Sequence, residues 1–354
     1  MKSTKHVFLA LAALVASGCV LDGNSDKGAT AGSGKVFSMG SKWSADGGNA
    51  ALDRISTTKA ESIKSWANSD VVLSADAGVL YVLQRSKGVV TGYLGGDVTT
   101  SPTLDVNVGV DANPYAVTSL SGKLWVACYG SSFLKAIDLS SKALVDSIDL
   151  SMYSDLADAQ TIPFMIAVHA WNGKLAVVLG RLNGWNPGDS TLVLVLDPAT
   201  KNVKRIALPW KNAYGASWNG NQVLVACVGS WTDTTDGGLA LVDLAAGTTR
   251  ALLSGETAKR NIAMAAFGPA GKAIVCVANA KGVGPARLLD LASGTLGATI
   301  PGSDNVGALA WDGSQFWVGD HNDAAPVLLR VDASGDTLGR VNTTLASGSL
   351  AILQ

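Results

Sequence analysis

The chain has 354 residues, 47% of them hydrophobic and only 16% charged, with 40 glycines and a formal net charge of −1. A balanced chain without a Lys/Arg cluster has no field to draw in a polyanion, which argues against nucleic acid as a partner. Long amphipathic helices are not evident, and the glycine and apolar content suits short strands buried on both faces between frequent turns.

Residues 1–19, MKSTKHVFLALAALVASGC, join a basic start (Lys2, Lys5) to an apolar run from Val7 to Ala16 and to small residues ahead of Cys19. This is the anatomy of a secretory signal, and the run is too short to span a bilayer as a helix. The ending Ala16-Ser17-Gly18-Cys19 resembles the bacterial lipobox, with alanine where leucine is commoner. That resemblance implies removal of residues 1–18 and a lipid on Cys19, which becomes the mature N-terminus. Val20 after the cysteine, where aspartate would signal inner-membrane retention, implies an outer-membrane address, periplasmic or surface-facing. Cleavage as an ordinary signal peptide is the alternative. Residues 19–34 are rich in Gly, Ser, Ala, Asp and Asn, a composition that predicts a flexible tether.

Residues 35–354 repeat one unit: an apolar strand and turn, a Val-rich strand, a strand ending in aspartate, and a fourth strand. The cleanest copy begins at GALAWDGSQFWVGDHNDAAPVLLRVD (Gly307 to Asp332) and adds Thr337 to Asn342. Preceding copies run from Asp70 to Val108, Pro114 to Leu150, Pro163 to Leu208, Ala213 to Leu253, and Ile262 to Pro301. The two ends together supply a seventh unit. SLAILQ at Ser349 to Gln354 resembles a first strand, while KVFSMGS, AALDRIS and AESIKSW between Lys35 and Trp66 resemble the second, third and fourth. One such sheet cannot bury both faces alone, so the repeats must pack around a ring. The expected fold is an all-β propeller of seven four-stranded blades, closed by pairing the C-terminal strand with the N-terminal strands. About 46 residues per blade is near the usual propeller period.

The recurring residues have structural explanations. Asn172-Gly173, Asn219-Gly220 and Asp312-Gly313 are pairs suited to positive φ in tight hairpins. Trp171, Trp218 and Trp311 beside them are expected to pack between blades. Asp138, Asp197, Asp243, Asp290 and Asp332 each end a third strand, where a carboxylate can accept from the N–H groups of the following turn. Cys128, Cys227 and Cys276 lie in apolar strands and read as small buried hydrophobes, with a Cys227–Cys276 bridge as the alternative. No Cys/His spacing resembles a zinc site, and neither metal nor cofactor is expected.

The repeats LDPATK, VDLAAG and LDLASG, preceded by strands such as VLVACVG, resemble the bacterial YVTN/YncE-like seven-bladed propellers, and WDGSQFWV is similar to a lyase-type propeller repeat. The resemblance covers nearly all of Lys35 to Gln354 through short motifs. It implies the fold and an envelope binding role more than any chemistry.

In such a fold the loops between second and third strands share one face with the connections into the next blade. That face carries Arg85, Tyr115, Tyr129, Arg181, Trp185, Tyr214, Trp231, Arg260, Asp320, His321 and Asn322, the candidate binding residues. Aromatics mixed with Arg and Asn suit a glycan, a peptide or a protein partner of the cell envelope. Catalysis has less support. Processing leaves only His169 and His321; the first lies in an inner strand, and His321 beside Asp320 and Asn322 would anchor the lactonase- or lyase-like alternative. A scaffold in an envelope complex is a further alternative. Asp233 and Asp236 do not match a recognised calcium loop.

Overall fold

The structure is a computed structural model that describes residues 34–354 apart from 45, 46, 156, 158, 185, 234 and 280–282. The signal, Cys19 and nearly all of the tether therefore lie outside the described residues, as does Trp185. The rest forms seven four-stranded antiparallel sheets arranged as a propeller, with one short extra hairpin, Leu182–Asn183 with Asn186–Pro187. We number the blades from one to seven in chain order. Blade one is the composite: Ser347–Leu353 is its innermost strand, followed outward by Lys35–Lys42, Asn49–Ile55 and Ala60–Trp66.

The ring closes as the partial units at the two ends predict. Lys35 pairs with Leu353 and Phe37 with Ala351 in the antiparallel ladder between the two ends. Ser38 donates its hydroxyl to that of Ser347 at 2.8 Å. Closure removes two edges that would otherwise invite pairing with another chain.

Inner strands show why alternation is weak here: each is covered on both sides by neighbouring blades, so Ala213–Asn219 and Asn261–Phe267 are apolar almost throughout. Outer strands such as Leu144–Asp149 alternate toward solvent. Hydroxyls stitch adjacent blades. Ser349 accepts from the Leu73 N–H at 3.0 Å, Thr118 from Ala170 at 3.1 Å, and Ser217 from Phe267 at 3.1 Å. Each occupies a backbone donor that faces a gap between sheets and would otherwise be stranded. His169 holds the register position of Thr118 and Ser217, and stacks instead on Trp218 of blade five at 4.9 Å and 18°.

Turn chemistry departs from the sequence reading in two places. Asn172 and Gly173 both take positive φ, as expected, whereas Asn219 still pairs with Gln222, leaving Gly220 and Asn221 to turn. Asp312 is not a positive-φ residue. Its buried carboxylate accepts from the N–H groups of Ser314 and Gln315 and from Nε1 of Trp317 at 2.7 Å, which folds a longer turn around it. The strand-ending aspartates do cap their turns: Asp138 accepts from Ser140 and Ser141, Asp197 from Ala199 and Thr200, and Asp290 from Ala292 and Ser293. All three core cysteines are free and buried, so the Cys227–Cys276 bridge is not formed.

Candidate functional site

Two faces follow from the strand directions. One carries the tight turns, between first and second strands and between third and fourth. The other, the loop face, carries the connections between second and third strands and those into the next blade.

A β-bulge recurs where the innermost strand leaves the loop face. In blade three Pro114 pairs with Cys128 and Ala116 with Ala127, so Tyr115 has no partner. Tyr214 in blade five and Gly307 in blade seven hold the same place. A bulge re-aims the side chain of its extra residue and is frequent beside functional sites. Tyr129 and His321, each the first residue after a second strand, return an N–H to Asn113 and Asn305 respectively. Each blade of this kind therefore brings a bulge residue next to a loop residue.

Three clusters result. In blades two to four, the Arg85 guanidinium lies 4.8 Å from the centre of the Tyr115 ring, Tyr115 stacks on Tyr129 at 5.4 Å, and Tyr129 meets Phe164 edge-on at 5.1 Å. Arg85 also donates to Asn113 Oδ1 at 2.9 Å and pairs with Asp70 at 3.3 Å. Arg85 and Tyr115 are buried and join blades two and three; Tyr129 is half-buried. Burial raises the Tyr115 phenol and pushes that of Tyr129 up to about 12, so both stay protonated.

In blade five, half-buried Tyr214 and Trp231 meet edge-on at 6.3 Å. The adjoining Asp233 and Asp236 accept hydrogen bonds from Thr235 and Ser230 of their own loop. Arg260 is exposed nearby in sequence, before the innermost strand of blade six. Arg181 is used within the fold: it donates to the carbonyls of Tyr153, Ser154 and Ser190 and pairs with Asp189 at 3.0 Å, holding the long loop of blade four.

Blade seven differs. Its bulge residue is Gly307, where a Cβ would stand 2.6 Å from the Ser347 carbonyl and 3.0 Å from the Cβ of His321. The missing side chain lets His321 and blade one close in. Asp320 is 9% exposed, and its Oδ1 has no hydrogen-bond partner among the described residues; neither has the buried Nδ1 of His321. Burial raises the Asp320 carboxyl and the nearby Asp304 raises it further, against the pull of His321, the Asn305 backbone and Arg340. Asn322 is exposed, its side chain accepting from the Ala324 N–H. No group of three metal-ligating side chains occurs among the described residues.

The same face carries Trp43, 45% exposed in the equivalent loop of blade one, and Asp304, which contributes to the Asp320 environment. On the opposite face, a groove of about 400 Å³ between blades four and five is lined by Trp171, Lys174, Asp197, Asn202 and Lys204. Three of its polar groups are engaged with neighbouring turns: Trp171 donates to Asn221, Lys204 to the Ala246 carbonyl, and Asp197 caps its turn.

No family model matches the chain, and no curated protein does. Solved structures do. Apo AztD from Citrobacter koseri shares 13% identity over 90% of this chain and 97% of its own, with a TM-score of 0.55. The hydrazine synthase of Kuenenia stuttgartiensis gives 14%, 79%, 88% and 0.57, and BamB from Moraxella catarrhalis 15%, 87%, 89% and 0.50, in the same order. At such identities the likeness shows the fold alone: this chain is a seven-bladed β-propeller.

Proposed function

We propose that the chain is a non-catalytic binding propeller, held to the bacterial outer membrane by a lipid on Cys19, which presents its loop face to a glycan, peptide or protein partner of the cell envelope. On this reading it groups with the YVTN/YncE-like propellers that its repeats resemble. The observation that carries the binding role is the blade-seven pair. Where blade three packs Tyr115 on Tyr129, blade seven sets Gly307 beside His321 and leaves Asp320 Oδ1 and His321 Nδ1 without partners among the described residues. Buried polar atoms in that state cost free energy unless something binds them, and a polar ligand supplies what the fold withholds.

The test is direct binding to envelope glycan fragments and envelope peptides by wild type and by an Asp320→Asn/His321→Ala variant. Loss of binding in a variant with an unchanged circular dichroism spectrum is expected. Equal binding by both would end the reading. Cys19→Ser is expected to move the protein from the membrane to the soluble fraction.

A second reading, a lactonase- or lyase-like enzyme, draws on the raised Asp320 carboxyl next to an imidazole, an arrangement suited to proton transfer. It requires a turnover that His321→Ala abolishes.

A further inference from the structure

The turn-face groove between blades four and five differs in its charges from the matching place one blade earlier. In blade three Lys123, whose ladder partner is Asp138, reaches across the sheet to Asp146 of the fourth strand at 3.1 Å. Its ammonium also lies 5.7 Å from the centre of the Trp125 ring. Blade four keeps the lysine and changes both partners. Lys174 precedes the Leu175–Leu196 pair as Lys123 precedes Leu124–Ile137, so the two lysines share a register. Lys204 then stands where blade three has Asp146, and Ala176 where it has Trp125. The hairpin residue paired with each lysine changes as well, from Leu120 to Trp171.

A lysine in place of the acid leaves two cations in one groove. Lys174 is exposed and takes part in none of the ion pairs among the described residues. Lys204 gives one N–H to the Ala246 carbonyl at 3.2 Å, in a turn where Gly247 leaves room for its ammonium, and keeps two further donors. The acids of the two adjoining turns are occupied: Asp197 accepts from Ala199 and Thr200, and Asp243 from Ala246. Two lysines against Asp197 leave the lining net positive. Its other walls are apolar or neutral. Val195 and Leu244 are buried, the Asn202 side chain is exposed, and half-buried Trp171 is held by its Nε1 donating to Asn221 Oδ1 at 2.8 Å.

We propose that this groove is a second binding site, for a sugar that carries an anionic group. Its carboxylate or phosphate meets the Lys174 and Lys204 ammonium groups, its hydroxyls meet the Asn202 amide, and its C–H face lies on the Trp171 ring. The volume of about 400 Å³ is that of a small-molecule site. An unbranched fatty acid satisfies the charges but leaves the Asn202 amide unused. The site lies on the face opposite Asp320 and His321, and it stands whether or not the loop face binds a partner.

The experiment titrates the full-length protein with glucuronate, glucose 6-phosphate and glucose, read by saturation-transfer NMR of the sugar protons. Saturable binding of an anionic sugar is expected, with glucose at least about tenfold weaker, and the tighter of the two acids identifies carboxylate or phosphate as the favoured anion. Lys204→Asp rebuilds the lysine–aspartate pair of blade three at an exposed position, and it should weaken anionic-sugar binding at least about tenfold with an unchanged circular dichroism spectrum. Lys204→Arg keeps the charge and should retain binding. Glucose bound as tightly as the acids, wild-type binding by Lys204→Asp, or no saturable binding of either acid overturns the proposal. Equal loss in both Lys204 variants assigns the side chain to packing and overturns it as well.

Discussion

Thr344 gives both of its donors to Asp53: its N–H reaches Oδ2 and its hydroxyl Oδ1, each at 2.7 Å. Asp53 is buried in the third strand of blade one, and Thr344 lies in the connection that brings the last strand home. One carboxylate thus fastens the return of the chain across nearly its whole described length. Asp53→Ala removes the buried carboxylate that holds the exposed Thr344, and hydrogen bonds to a charged group contribute about 1.5–3 kcal/mol each. A loss of about 3 kcal/mol is expected in urea unfolding, against less than about 1 kcal/mol for a change at an exposed carboxylate such as Asp323. Equal midpoints for the two variants would contradict this.

His169 makes stability depend on pH. Burial against Trp218 lowers its pKa to about 4. The folded state therefore holds it neutral while the unfolded chain takes up a proton near pH 6.5, so stability is full above that value and falls as pH drops toward 4. The loss over this window is roughly 3 kcal/mol from this group. His169→Phe keeps a ring on Trp218 but cannot titrate, and its stability should be flatter over the same window. Parallel curves for the two proteins would refute the assignment.

Asp320 has the opposite sign. Its carboxyl is raised above the ordinary carboxylate range, so ionisation disfavours the folded state once pH passes the unfolded value. Asp320→Asn should raise stability at neutral pH by about 1 kcal/mol, measured by thermal unfolding, while weakening ligand capture. A variant that is both less stable and unaltered in binding would show that the carboxylate serves packing alone.

The core thiols should be silent. Cys128, Cys227 and Cys276 are buried, and burial pushes each thiol up to about 12. In Cys19→Ser, a thiol reagent at pH 8 is expected to find no reactive cysteine in the native protein and all three in denaturant. Rapid native reaction of any one would place it on a solvent path.

The blades could be read from sequence because strand, turn and capping aspartate recur, and because the incomplete units at the two ends complement each other. Turn residues were only partly legible. Asn172-Gly173 announces its hairpin, but Ala77-Gly78 and Ser121-Gly122 adopt positive φ just as well, since the glycine and the pull of the paired strands do most of the work. Arg85 and Arg181 look like ligand contacts in a loop sequence. Whether an arginine meets solvent or is used inside depends on carbonyls and carboxylates brought in by other segments, here Asp70, Asn113, Tyr153 and Ser154. The bulges that aim Tyr115 and Tyr214 are a single extra residue in a short strand and leave no periodic trace. Gly307 reads as an ordinary strand glycine until the ladder shows that it occupies their position.

The pairing of Lys35 with Leu353 has a consequence for the order of the chain itself. Adjacent strands stand about 4.8 Å apart, so Gly34 and Gln354 finish as neighbours on one surface. A linker of a few residues would make the backbone a continuous circle, and any exposed hairpin could then serve as its start. The fold itself has only a cyclic sequence of blades, with none that must come first.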